Sequence, residues 1–168
     1  MAKLRAGFIG AGSWATMAHL PAISKRDEVE IVAICRKGDD LLKKLATQYG
    51  ASVATEDYQD VIKQDLDIIV VSSPSGLHHE HSKAALNAGA HVLCEKPMTV
   101  TLAEAEEIAA TARRSGAVCA VNYGYTGYPL VRHMRAMVAR SRTMSTLAST
   151  ASAVMVEMAS GPTAPALM

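Results

Sequence analysis

Three groups of residues in this sequence have the types and spacing that chemistry needs. The first is Gly10-Ala11-Gly12-Ser13-Trp14-Ala15, which matches the pattern G-x-G-x-x-G/A. In such a turn the first glycine permits the sharp bend and the second lets backbone approach a pyrophosphate. The small sixth residue lets helix pack closely on strand. Free N–H groups at the helix start, aided by the helix dipole, then face phosphate oxygens. Gly10, Ala11, Gly12, Ser13 and Trp14 are therefore candidate binders of a dinucleotide, because the motif follows a strand pattern and opens a helix.

The second group is Arg36-Lys37, 24 positions after Gly12. An acidic residue at that point would bond a ribose 2′-hydroxyl and indicate NAD, whereas a guanidinium and an ammonium suit a 2′-phosphate. NADP is favoured over NAD, although Asp39 or Asp40 could still reach the ribose, and the pair could instead be solvated loop. The third group is His78, His79 and His81. Two of them share a helix face, but no carboxylate or cysteine completes a ligand set, so no metal is expected. Cys35, Cys94 and Cys119 are scattered without ligand spacing and read as small buried hydrophobes of a reducing compartment.

These residues need a scaffold, and the pattern supplies an α/β one. Strands are expected at 4–9, 30–35, near 52–54, at 67–71, 91–94 and 117–121, with helix-length segments between them. Asp67-Ile68-Ile69-Val70-Val71 has no polar alternation and suits a strand covered on both faces of a parallel sheet. The first helix should start with Ser13 as cap and end or kink at Pro21. A second shows Leu41, Leu42, Leu45, Ala46 and Tyr49 on one face and stops at Gly50. A helix over 78–87 ends at Gly89. Another is opened by a Thr101/Glu104 capping box, turns Leu102, Ala105, Ile108, Ala109 and Ala112 inward, and ends at Gly116. Strand–helix alternation of this kind makes right-handed βαβ units and a doubly wound parallel Rossmann sheet with flanking helices.

Composition agrees. The chain is 49% hydrophobic and 20% charged, the balance of a globular protein with a core. With a net charge of +1 there is no electrostatic case for nucleic acid or an anionic membrane as partner. No apolar run approaches the roughly 20 residues of a membrane span. The opening residues lead straight into a strand, leaving no room for a signal peptide, so a cytoplasmic location is expected.

The segment Cys94-Glu95-Lys96-Pro97-Met98, with Gly10-Ala11-Gly12, resembles the Gfo/Idh/MocA family, named for glucose–fructose oxidoreductase and inositol dehydrogenase. The likeness spans about residues 4–140. It includes Ser73-Pro74-Ser75-Gly76-Leu77-His78, similar to the family's Thr-Pro-Asn-x-x-His loop, and the long run Gly89 to Pro97. Asn122 to Pro129 also resembles one branch of the family. The resemblance implies an NAD(P)-dependent oxidoreductase acting on a sugar, polyol or related small molecule. It implies that Lys96 lies near the nicotinamide and assists proton movement at the substrate hydroxyl, as a partly desolvated lysine can; a surface salt bridge is the other use for it. Ser73, Pro74, His78 and Glu95 would line the cofactor's path, with Ser73 and Ser75 departing from the family's Thr and Asn. Pro97 suggests a cis Lys96–Pro97 peptide that turns Lys96 inward.

The implied organisation is a dinucleotide-binding domain over 1–124, a connecting helix over 125–140 and a tail over 141–168. Leu130, Val131, Met134, Met137 and Val138 outline the connecting helix. Of the 28 tail residues 19 are Ala, Ser, Thr or Met, and all seven aromatics precede them. Such a tail should be poorly ordered and cannot pack as a domain. Family members continue into a second α/β domain that supplies the substrate pocket and usually an oligomer interface. That domain is not expected from these residues, so a truncated, non-catalytic binding module is the alternative reading, and a homo-oligomer is possible.

Overall fold

A computed structural model describes residues 2–38 and 40–140. The described residues fall into two units, one up to Val121 and one from Asn122 on. In the first, six strands form one sheet: β1 (Leu4–Ile9), β2 (Val29–Cys35), β3 (Val53–Thr55), β4 (Ile68–Val71), β5 (His91–Glu95) and β6 (Cys119–Asn122). Their spatial order is β3-β2-β1-β4-β5-β6. Pairing is parallel between β1 and β2, β1 and β4, β2 and β3, and β4 and β5. At the edge the Val92 N–H donates to the Val118 carbonyl (2.8 Å), and the Val118 N–H donates to Nδ1 of His91 (2.9 Å).

The strand order reverses between β1 and β4, and that reversal opens a crevice outside the carboxyl ends of the two strands. Buried apolar residues lie on both faces of the sheet. Ile9, Val32, Ile69, Val71, Leu86, Val92 and Ile108 form one cluster, and Phe8, Leu20, Ile31, Ile34, Leu45 and Val70 the other. The uninterrupted apolar run of β4 is explained by this double cover.

Helices α2 (Asp40–Tyr49), α3 (Tyr58–Ile62), α4 (His78–Asn87) and α5 (Leu102–Ser115) fill the crossovers. The capping box forms as expected: Oγ1 of Thr101 accepts from the Glu104 N–H, while the Glu104 carboxylate accepts from the Thr101 N–H. Gly116 closes the helix at φ 72°. Two inward assignments fail. Leu41 is exposed while Leu42 and Leu45 are buried, and Leu102 is 75% exposed because it sits in the first turn, beyond the reach of the sheet.

The helix after β1 also departs from expectation. Thr16 N–H donates to the Gly12 carbonyl (3.0 Å), so Ser13 already lies inside the first turn and Gly12 occupies the cap position. A wide π turn over Ala15–His19 follows, then α1 (Leu20–Ile23). Pro21 falls inside the helix; the π turn preceding it accommodates the missing N–H.

In the second unit a 3₁₀ turn (Gly124–Gly127) leads to α6 (Pro129–Arg140), with Tyr125 and Tyr128 packed edge to face at 5.3 Å. Leu130, Val131, Met134 and Met137 are exposed on α6. The Val138 side chain and the expected tail over 141–168 lie outside the described residues. Among the described residues no helix is long and apolar enough to cross a membrane.

Candidate functional site

The crevice is built from three loops at the carboxyl ends of β1, β4 and β5. The first is the glycine-rich turn. Gly10 and Ala11 N–H groups both donate to the Cys35 carbonyl (3.0 Å each), pinning the turn to the end of β2. Gly10 has φ 89°, and a Cβ there would stand 2.3 Å from the Ser73 backbone. This glycine is required by the fold. Gly12 differs: a Cβ there would meet only the Gly10 carbonyl, at 4.0 Å, so the space before it is open. The N–H groups of Ser13, Trp14 and Ala15 precede the first intrahelical bond, which leaves them for an anion.

Arg36 lies across this turn. Its Nη1 donates to the Ala11 carbonyl (3.0 Å), and its buried Nε has no partner among the described residues. A buried donor without an acceptor is costly, and a phosphate oxygen would supply one. The open space before Gly12 and the orphaned donor of Arg36 both fit a bound dinucleotide. Lys37 and Asp40 are exposed, and Asp39 lies outside the described residues. The solvated-loop alternative thus describes Lys37 and not Arg36.

The loop after β4 carries Ser72 to Leu77. Ser72 Oγ donates to the Gly10 carbonyl (2.9 Å), holding this loop against the first. Pro74 and Ser75 are exposed, and Ser73 is half-buried. His78 does not line an open path: it is 1% exposed, with Nδ1 2.7 Å from the Pro97 carbonyl and Nε2 2.7 Å from the Ser73 carbonyl. His81, also buried, has Nδ1 2.8 Å from Oγ of Ser73 and rests against the Tyr58 ring. His79 is the surface member, 2.8 Å from the Glu107 carboxylate. So the shared helix face of His78 and His81 converges on one residue, Ser73. No group of three potential ligands is assembled among the described residues.

The third loop follows β5. Glu95 is 7% exposed, and its Oε1 accepts from Nε1 of Trp14 and from Nε2 of His19, each at 2.7 Å. Oε2 accepts from the Lys96 N–H (3.2 Å). Glu95 therefore faces the helix after β1 and holds it against β5. His19 went unnoticed in the sequence because its partner lies 76 residues away. The π turn brings the pair together: residues i and i+5 are neighbours there, so Trp14 and His19 reach one carboxylate. The Lys96–Pro97 peptide is cis. Lys96 itself is exposed, so the partial burial expected of it is not present among the described residues.

Burial pushes the thiols of Cys35 and Cys94 up to about 11 and that of Cys119 up to about 12, which keeps them protonated and inert. A separate concavity of about 470 Å³ lies at the amino ends of β1 and β2, lined in part by Lys3, Arg5, Glu30 and Tyr49. Arg5 is already committed there to the Asp65 carbonyl (2.6 Å) and to Glu30 (3.3 Å).

Comparison with known proteins agrees with this geometry. Residues 4–123 match the Gfo/Idh/MocA family, an oxidoreductase family with an NAD-binding Rossmann fold. D-glucoside 3-dehydrogenase of Escherichia coli strain K12 is 38% identical over 121 residues, 71% of this chain and 34% of that protein. A dTDP-3,4-didehydro-2,6-dideoxy-alpha-D-glucose 3-reductase of Actinomadura kijaniata is 32% identical over 136 residues, 80% of this chain and 41% of the relative. The crystal structure of a 3-ketoreductase from Actinomadura kijaniata in complex with NADP aligns with a TM-score of 0.75 at 31% identity, covering 83% of this chain and 45% of that one. The chain thus spans about a third to two fifths of the length of these curated relatives. With the match extending from β1 through β6, this chain belongs to the Gfo/Idh/MocA family of oxidoreductases.

Proposed function

We propose that this chain is the dinucleotide-binding part of an NADP-preferring oxidoreductase acting on a sugar, polyol or related small molecule. The observation that carries the reading is Arg36, held across the glycine-rich turn with a buried, unpartnered Nε. The turn from Gly10 to Trp14 would hold the pyrophosphate, and Arg36 with Lys37 the 2′-phosphate. When bound, the nicotinamide accepts or supplies the hydride. Lys96 would hold or move the proton at the substrate oxygen, standing at the end of β5 with its backbone N–H bonded to Glu95. Ser73 and Pro74 would border the cofactor, while Glu95 and His78 act from behind the loops they join. Relatives that are sugar dehydrogenases and reductases support the substrate class.

Titration of the 168-residue chain with NADPH and NADH tests the preference. A charge-assisted bond contributes about 1.5–3 kcal/mol, so NADPH should bind at least about tenfold more tightly. Arg36→Asp should reverse the order. Equal or tighter binding of NADH by the unaltered chain would overturn the preference.

A further inference from the structure

The His78 ring bridges two backbone carbonyls, and a carbonyl oxygen can only accept. A neutral imidazole has one donor nitrogen and one acceptor nitrogen. It would satisfy one carbonyl and press a lone pair against the other at 2.7 Å. With the residue 1% exposed, bulk solvent does not reach the ring to relieve that contact. Both distances, 2.7 Å, fall at the short end typical of charged donors. We propose that His78 donates from both ring nitrogens, a buried imidazolium that staples the loop after β4 to the loop after β5. It is a positioning residue for the crevice, the functional half of the proposal resting on the dinucleotide-binding reading above.

What the staple joins gives it consequence. Ser73, at one end, supplies the backbone that packs under Gly10, where even one added carbon would collide. Pro97, at the other end, directly follows Lys96. His78 therefore fixes the floor of the glycine-rich turn relative to the lysine loop. His81 complements it from the next turn of α4, with Nδ1 on the Ser73 hydroxyl. Burial first, and the neighbouring His78 charge as a lesser cause, pull His81 below the usual histidine range against the opposing pull of Glu80. A neutral His81 accepts from the hydroxyl, while His78 donates to the carbonyl of the same serine. The two histidines hold Ser73 in opposite protonation states.

The test is a long-range proton–nitrogen NMR spectrum of the 168-residue chain labelled in histidine, at neutral pH. His78 is assigned by comparison with His78→Phe, or with His78→Gln. The expected spectrum shows two protonated ring nitrogens on His78 and one on His81. An unprotonated ring nitrogen on His78 overturns the proposal. In His78→Phe, hydrogen exchange should quicken in both loops, 73–78 and 95–98, and NADPH affinity should fall tenfold or more. His78→Gln, which restores an amide donor, should recover part of it. Unchanged exchange and affinity in the Phe variant would refute the positioning role. Should that variant not fold, the spectrum of the unaltered chain and the Gln variant decide. A chain that binds no NADPH sinks the proposed function alone, since the spectrum still reports the staple.

Discussion

At the scale of single residues, the two glycines of the turn do different work, and substitution separates them. Gly12→Val places a branched side chain in space that no protein atom occupies, so fold and melting temperature should be retained while dinucleotide binding disappears. Gly10→Ala should strike the fold itself. Its positive φ alone costs an L-residue roughly 1–2 kcal/mol, and the collision with Ser73 adds to that, so the melting temperature should drop. Circular dichroism melts beside an NADPH titration check both, and unchanged affinity in Gly12→Val would place the nucleotide elsewhere. The motif was legible in the sequence because its six residues are contiguous. The roles of His78, His81 and Glu95 were not, since each depends on a partner that only the folded sheet brings near. Only proximity in space makes a buried histidine a bridge between carbonyls.

At the scale of elements, what local chemistry decides was readable and what packing decides was not. The Thr101/Glu104 box and the Gly116 cap of α5 are local, and both are present. Thr101→Ala should cost about 1 kcal/mol, read as a lowered melting temperature. The π turn around Ala15–His19 was not readable, because the sequence marks only Pro21. What rewards the wider turn is Glu95, which collects both Trp14 and His19. The α4–α5 contact carries a pH dependence of its own. Lys83 first, then His79, hold the Glu107 carboxyl below the usual carboxylate range. A carboxyl depressed in the folded state stabilises above its unfolded pKa, and that contribution fades as pH falls through the folded value. Glu107→Gln should therefore melt slightly below the unaltered chain at neutral pH, the gap being small because the pair is exposed. The two curves should converge in acid, and a gap that persists there would exclude this ion pair as its source.

At the scale of the whole molecule, the sheet offers a crevice for a dinucleotide with Lys96 exposed at its rim. Hydride transfer needs the reacting carbon held about 3–3.5 Å from its partner and shielded from water. The described residues of the first unit supply one wall of such a site. We therefore expect the 168-residue polypeptide to bind NADPH yet turn over sugars and polyols far more slowly than a full-length relative assayed beside it. Comparable turnover would mean that the pocket is closed another way, as between copies of the chain. The doubly wound sheet followed from strand–helix alternation, whereas the exposure of Lys96 did not, because burial belongs to the assembled surface and not to a motif. The two sides of this crevice are synthesised at different times. The Trp14–Glu95 bond joins residues 81 positions apart, and a ribosome adds about 5–20 residues per second. The glycine-rich turn thus waits roughly 4–16 s for its partner to be made. Until Glu95 is made, the nascent chain carries only half of the crevice.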